Sequence, residues 1–244
     1  MNLTNTEIER YSKQIILKNI GFIGQKKLKK SKVLIIGLGG LGCPAAEYLS
    51  RAGIGTLGLI DKDKVSLSNI HRQTMFTTKD IKKYKVDVVK DRIKKINPHI
   101  SIKSFKTNID LRNINKIVKS FDIVLDGTDN FKSKFLINDI SLDYKKFLVV
   151  GAISKFDGHI FTFDFKNKNN PSLRDFYQEE VVTDDILNCE YDGILGTVAG
   201  IVGTMQANEI LRKILNIGQN LNGFILIIDL LNLNIRKVKL KKRV

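Results

Sequence analysis

Cysteine is scarce in this chain. Only Cys43 and Cys189 occur among 244 residues, which excludes a disulfide framework. Long apolar runs are missing too: no stretch reaches the roughly 18 apolar residues that a membrane-spanning helix needs. The first residues, Met1-Asn2-Leu3-Thr4-Asn5-Thr6-Glu7, have neither the basic nor the apolar region of a signal peptide. A cytoplasmic protein without a membrane partner is therefore expected. Internal repeats and linker-like stretches are also lacking, which predicts one domain over 1–244.

Acidic residues are outnumbered, with 25 Asp and Glu against 41 Lys and Arg, a net charge of +16. Such an excess invites a nucleic-acid partner. Yet the clusters Lys26-Lys27-Leu28-Lys29-Lys30 and Lys241-Lys242-Arg243 are not interleaved with aromatics, and no nucleic-acid-binding motif is present. The charge reads as lysine spread over solvated surface, and no specific nucleic-acid partner is expected. Its field could still steer a small acidic protein. At 43% hydrophobic, the chain can bury a full α/β core.

What is present is a Gly-rich fingerprint, Val33-Leu34-Ile35-Ile36-Gly37-Leu38-Gly39-Gly40-Leu41-Gly42, opening into the helical pattern Cys43-Pro44-Ala45-Ala46-Glu47-Tyr48-Leu49. Gly37 permits a tight turn, Gly39 and Gly40 let backbone N–H groups approach phosphate, and Gly42 allows close helix–strand packing. The phosphate would sit at the helix N-terminus. The next apolar run, Leu57-Gly58-Leu59-Ile60, ends in Asp61, where a ribose-binding carboxylate is expected. These features imply a nucleotide without saying which.

Two polar clusters at strand ends narrow the choice. One runs from Asp61 through Ser68-Asn69-Ile70-His71-Arg72-Gln73, and the other is Asp126-Gly127-Thr128-Asp129-Asn130 after the strand Phe121-Asp122-Ile123-Val124-Leu125. Ligands of open parallel sheets bind outside these carboxyl ends. Arg72 and the nearby Lys85 suit a polyphosphate, and Asp129 beside phosphates suits Mg²⁺. Hydride transfer needs no such set, so the pocket reads as ATP with magnesium.

The periodicity predicts an α/β, Rossmann-like fold: a mainly parallel sheet with helices on both faces and antiparallel strands added in the C-terminal part. Strands are expected at 33–37, 56–61, near 100–105, 121–126 and 147–153, with helices at 41–52 and near 85–96, 110–119 and 130–144. Thr6-Glu7-Ile8-Glu9 begins an N-terminal helix with a capping candidate. Later, 158–164, 224–229 and 234–240 alternate like antiparallel strands, 196–216 reads as a helix, and 166–193 reads as a mobile loop.

These residues resemble the ThiF/MoeB/HesA-type adenylyltransferases, bacterial relatives of the ubiquitin-activating enzymes that act on small ubiquitin-like sulfur carriers for thiamine and molybdopterin synthesis. The resemblance runs from Arg10-Tyr11-Ser12-Lys13-Gln14-Ile15 to about Lys239. It rests on Gly37 to Gly42, Ser66-Leu67-Ser68-Asn69 with Arg72-Gln73, Lys85-Val86, Asp126 to Asn130, and Gln206-Ala207 with Glu209. It implies N-terminal helices over 1–31, a nucleotide-binding core over 32–150, and a carrier-binding and loop region over 151–244. The implied reaction is ATP-dependent adenylation of the C-terminal carboxylate of a Gly-Gly-ending carrier, with pyrophosphate released and a sulfur-donor protein acting afterwards. By the same resemblance, Gly40 presents backbone to the nucleotide and Asp61 binds ribose. Asn69, Arg72 and Lys85 hold phosphates, Asp129 takes Mg²⁺, and Ser68 and Asn130 complete the nucleotide motifs. Phe76-Thr77-Thr78-Lys79-Asp80-Ile81 leans toward the thiamine members.

Departures from the family carry further expectations. The Cys-x-x-Cys pairs that hold a structural zinc in relatives are missing: Pro171-Ser172-Leu173-Arg174-Asp175 stands at one site, and Lys241-Lys242-Arg243-Val244 ends the chain. Four thiolates cannot come from two cysteines, so no structural zinc is expected. Lys13 stands where relatives carry an arginine that reaches ATP from the neighbouring subunit of a homodimer. It keeps the charge and loses the bidentate fork. Gly127 replaces a usual cysteine. Cys189 aligns with a loop cysteine that some relatives link covalently to the carrier. It is either a sulfur-transfer thiol or an unreactive one, since Glu180, Asp184, Asp185, Glu190 and Asp192 nearby would raise its pKa.

Each site residue also has a plainer role open to it. Asp61 could cap a turn, Arg72 and Lys85 could be solvated surface, Asp129 could cap the helix near Asn130, and Cys43 could be a packing residue. Adenylating enzymes that act on a peptide or on tRNA would keep the same pocket. A nicotinamide oxidoreductase would leave Asn69, Arg72, Lys85 and Asp129 unexplained, and a non-catalytic carrier-binding scaffold would not need them.

Overall fold

The computed structural model describes residues 2–167, 169–177 and 193–242. Strands β1 (Lys32–Ile36), β2 (Thr56–Ile60), β3 (Ser101–Phe105), β4 (Ile123–Asp126) and β5 (Phe147–Ser154) pair in parallel in the order β3-β2-β1-β4-β5. β6 (Asp157–Asp164), β7 (Phe224–Asp229) and β8 (Asn234–Lys239) extend this sheet by antiparallel pairing. The expected mainly parallel sheet with antiparallel C-terminal additions is therefore observed. The chain builds outward from β1 to β2 and β3, then returns to lay β4 on the other side of β1. The carboxyl ends of β1 and β4 thus flank the switch point where such sheets bind ligands.

Period-two alternation explains the two apolar layers. Val33 and Ile35 of β1 enter one layer, and Leu34 and Ile36 enter the other. The first layer is closed by α3 (Gly21–Lys30), α4 (Gly42–Ala52), α5 (Lys85–Ile96) and the 20-residue α9 (Gly196–Leu215). The second is closed by α6 (Ile114–Lys119), α7 (Phe131–Asp143) and the short α8 (Leu173–Phe176). A sheet covered on both faces needs the near-continuous apolar strands that the sequence shows.

Three boundaries differ from expectation for identifiable reasons. The N-terminal helix α1 (Asn5–Arg10) is capped by Thr4, whose Oγ1 accepts from Glu7 N at 3.3 Å while the Glu7 carboxylate accepts from Thr4 N at 2.8 Å. That carboxylate also pairs with Lys29 Nζ of α3 at 2.7 Å, so a tertiary ion pair selects this register over one starting at Thr6. The helix expected near 110 begins only at Ile114. Asp110 Oδ1 accepts from Arg112 N and Asn113 N, at 2.9 and 3.0 Å, and holds that stretch as a turn. Within the stretch expected to be a loop, α8 forms after Ser172, whose backbone N–H donates to Asp175 Oδ2 at 2.6 Å.

Candidate active site

The glycine loop lies at the β1 end of the switch point, and its geometry depends on its neighbours. Gly37 adopts φ +87°, and a Cβ there would stand 2.7 Å from the Gly127 carbonyl oxygen. A Cβ on Gly42 would lie 1.9 Å from the Gly37 oxygen, so only glycine lets α4 start so close to the turn. Gly40 faces Ala199 of α9 and the Arg72 side chain, whose Cγ would be 3.6 Å from a Cβ there. Gly39 has only Gln73 Nε2 near it, at 3.6 Å, which leaves its outer face open. Cys43 donates its Sγ–H to Leu38 O at 3.3 Å, and burial pushes its thiol pKa up to about 12. It is an unreactive packing residue, as the plainer reading has it.

Asp61 follows β2 and does cap a turn, because its Oδ1 accepts from Asp63 N at 2.8 Å. Its Oδ2 does more, accepting from Leu38 N of the glycine loop at 2.7 Å. Burial raises the Asp61 pKa, against the opposing pull of the Lys85 charge and these two N–H donors. Lys85 is only 6% exposed, which removes the solvated-surface reading. Its Nζ bonds Asp63 Oδ2 at 3.0 Å, so Asp63 is its direct counter-ion and Asp61 feels it through space. Sequence reasoning gives Asp63 no role. A pairing across 22 positions leaves no local signature.

The Ser66–Gln73 turn supplies the next wall. Asn69 Oδ1 accepts from Ser66 N at 3.2 Å and Ser68 Oγ lies 3.0 Å from Ser66 Oγ, so both hold the turn itself. Arg72 is half-buried and sends Nη1 to Ser68 O at 2.9 Å, with His71 Nε2 2.8 Å away. Its Nε and Nη2 have no partner among the described residues.

At the β4 end, Asn130 rather than Asp129 caps α7, accepting from Ser133 N at 2.9 Å. The capping reading of Asp129 is thereby corrected. Its exposed carboxylate accepts from Asn130 Nδ2 at 3.2 Å and forms no ion pair among the described residues. Behind this loop stands Lys134, whose ion pair with Asp126 the sequence reading missed. The available signal was a lysine on the inward stripe of α7 with Phe131, Phe135 and Asn138. Lys13, exposed in α2 (Ser12–Ile15), lies elsewhere. Its neighbour Gln14 bonds Ala52 O at 3.2 Å, at the end of α4 away from the glycine loop. Cys189 lies outside the described residues.

The donor set fits a metal-bound polyphosphate. Arg72 reaches beside Gly40, Gly39 has an open outer face, and Asp129 offers an exposed carboxylate without an ion pair among the described residues. No group of three or more His, Cys, Asp or Glu side chains forms a metal cage among the described residues. Magnesium typically needs only one or two carboxylates when phosphates supply the remaining ligands.

Comparison with known proteins identifies the family. A molybdopterin-synthase adenylyltransferase of Haemophilus influenzae is 41% identical over 240 residues, covering 98% of each chain. A sulfur carrier protein adenylyltransferase of Thermus thermophilus is 34% identical, covering 99% of this chain and 90% of its own. Several other curated relatives are longer, and the chain spans 53 to 66% of their length. The crystal structure of PaaA shares the fold with a TM-score of 0.83 at 24% identity, covering 97% of this chain and 84% of that one. The ThiF family model matches residues 11–244, and the chain belongs to the ThiF family.

Proposed function

We propose that this ThiF-family enzyme adenylates the C-terminal carboxylate of a small ubiquitin-like sulfur-carrier protein ending in Gly-Gly. The observation that carries this reading is that Arg72 lies beside Gly40 of the glycine loop, while the exposed Asp129 belongs to a loop whose Gly127 packs against Gly37. A carboxylate is a poor electrophile because its leaving group is poor. Its oxygen attacks the α-phosphorus of ATP, a new O–P bond forms, and the bond to the bridging oxygen breaks so that pyrophosphate leaves. The product is an acyl adenylate, which a sulfur-donor protein then attacks with loss of AMP. No protein nucleophile is needed for the first step, since positioning and charge neutralisation suffice.

Within this reading Asp61 binds the ribose while bracing the glycine loop. Gly39 and Gly40 present backbone to the phosphates, which Arg72, Lys85 and Asn69 hold, with Ser68 and Asn130 at the rim. Asp129 would hold Mg²⁺, which neutralises phosphate charge when bound. The chain works as one unit, with helices over 1–31, a nucleotide core over 32–150 and a carrier-binding region over 151–244. Lys13 serves the neighbouring subunit of a homodimer, consistent with its distance from its own glycine loop. Cys189 is reserved for the later sulfur step, so Cys189→Ser should keep pyrophosphate exchange and lose any reducible conjugate with the carrier.

For the pathway, the stretch from Phe76 to Ile81 supports thiamine synthesis, whereas the name of the Haemophilus influenzae relative supports molybdopterin synthesis. Mass spectrometry of the carrier that co-purifies with the enzyme separates the two. The activity test is exchange of labelled pyrophosphate into ATP. Exchange that requires a Gly-Gly-ending carrier supports the reading. Exchange driven instead by a peptide or tRNA replaces the substrate, and no exchange with any of them leaves a scaffold or a nicotinamide enzyme.

A further inference from the structure

We propose that Lys134 is a positioning residue that fixes the Asp126–Asn130 loop and thereby sets the Asp129 carboxylate in the nucleotide crevice. This rests on the reading of Asp129 given above. The Lys134 side chain is 6% exposed and that of Asp126 is 0% exposed. Stability alone does not account for such a pair, since an apolar pair of similar volume is often as stable or more so.

What the pair holds is clear from its bonds. Lys134 Nζ donates to Asp126 Oδ2 at 3.2 Å and to Gly151 O at 2.6 Å, so one side chain joins α7 to the carboxyl end of β4 and to the middle of the longer β5 beside it. The other Asp126 oxygen, Oδ1, accepts from Thr128 N at 2.8 Å and from Thr128 Oγ1 at 2.6 Å. The Asp126 carbonyl accepts from Gln206 Nε2 of α9 at 2.9 Å. Gly127 N donates to Ile36 O at 2.9 Å, which ties the loop to β1. Asp129 therefore sits between Thr128, locked by Asp126, and Asn130, locked as the α7 cap. Lys134 is the cation that pairs with Asp126 and holds it in place inside the fold.

The test compares Lys134→Met, Lys134→Arg, Thr128→Val and Asp129→Asn in the full chain. Mn²⁺ binding in the presence of a non-hydrolysable ATP analogue is followed by electron paramagnetic resonance. Metal-free binding of the analogue and the kcat of carrier-dependent exchange are measured alongside. Lys134→Met is expected to weaken Mn²⁺ binding and lower kcat by about tenfold or more, as loss of a group that orients a metal ligand commonly does. Metal-free analogue binding should stay within about twofold, and Lys134→Arg should restore both losses to within about threefold. If Lys134→Met does not fold, Thr128→Val carries the test and should show the same pattern.

A folded test variant with unchanged Mn²⁺ affinity and kcat overturns the proposal. Equal loss of metal-free nucleotide binding also overturns it, because that signals general damage. Asp129→Asn separates the two levels. If it leaves Mn²⁺ binding intact, the reading of Asp129 itself falls; if it alone abolishes binding, only the role of Lys134 falls.

Discussion

The Asp61 carboxylate accepts a hydrogen bond from Leu38 N at 2.7 Å, joining the end of β2 to the glycine turn that follows β1. One residue thus braces the glycine loop from the end of the neighbouring strand.

Asp61→Ala should therefore damage more than ribose binding. Two backbone N–H groups, on Leu38 and Asp63, lose a charged acceptor. A stability loss of about 1–3 kcal/mol is expected from this, together with a clear fall in ATP affinity. Urea unfolding and calorimetric titration with ATP measure the two effects. Unchanged values for both would remove Asp61 from the loop and from the site.

Gly42→Ala and Gly200→Ala form a contrasting pair. The new methyl at 42 would stand 1.9 Å from the Gly37 oxygen, whereas Gly200 in α9 has nothing within 4 Å. Gly42→Ala should cost about 1–3 kcal/mol by overpacking and abolish ATP binding. Gly200→Ala should gain roughly 0.5–1 kcal/mol of helix propensity. Thermal unfolding of both variants checks the signs.

Acid stability should depend on Asp80, which is 8% exposed. Burial raises its pKa, but hydrogen bonds from Thr77, then Lys83 and Arg92, outweigh burial and hold it well below its ordinary value of 3.8. A depressed folded pKa gives stability that is fully present above the unfolded value and lost as pH falls through the folded one. The parent should therefore lose stability on acidification from about pH 5 to pH 3, and Asp80→Asn should flatten that slope. Urea midpoints across this range provide the measurement, and parallel slopes for parent and variant would contradict the assignment.

How much of this was legible in the sequence follows from the range of each interaction. The glycine loop, Asp61 and the element order are set by local spacing and alternation, and they stand where the residues indicated. The Asp63–Lys85 pair was not legible, because charges 22 positions apart carry no periodic signal. Thr4 replaced Thr6 as the first cap because Lys29, on another helix, fixes Glu7. Asn130 took the cap expected of Asp129, since the helix starts one residue later and leaves the Asp129 carboxylate facing out. Lys134 was the detectable omission, a lysine on an apolar helical stripe.

Lys13 lies beside the far end of α4, so a role in catalysis requires the other subunit. Lys13→Ala and Asp129→Ala chains, each impaired alone, should recover exchange when mixed and allowed to form heterodimers. One site then combines an intact Asp129 with a Lys13 from the other chain. Activity no greater than the sum of the separate variants would place Lys13 outside catalysis.

The central claim is that adenylation occurs at the crevice between the β1 and β4 ends. Carrier-dependent exchange of labelled pyrophosphate into ATP, compared between the parent and folded Asp129→Ala or Arg72→Ala, tests it most directly. The account predicts exchange in the parent and its loss in both variants with near-parental melting curves. Exchange within about tenfold of the parent in either variant, a barrier change of only about 1.4 kcal/mol, would contradict it.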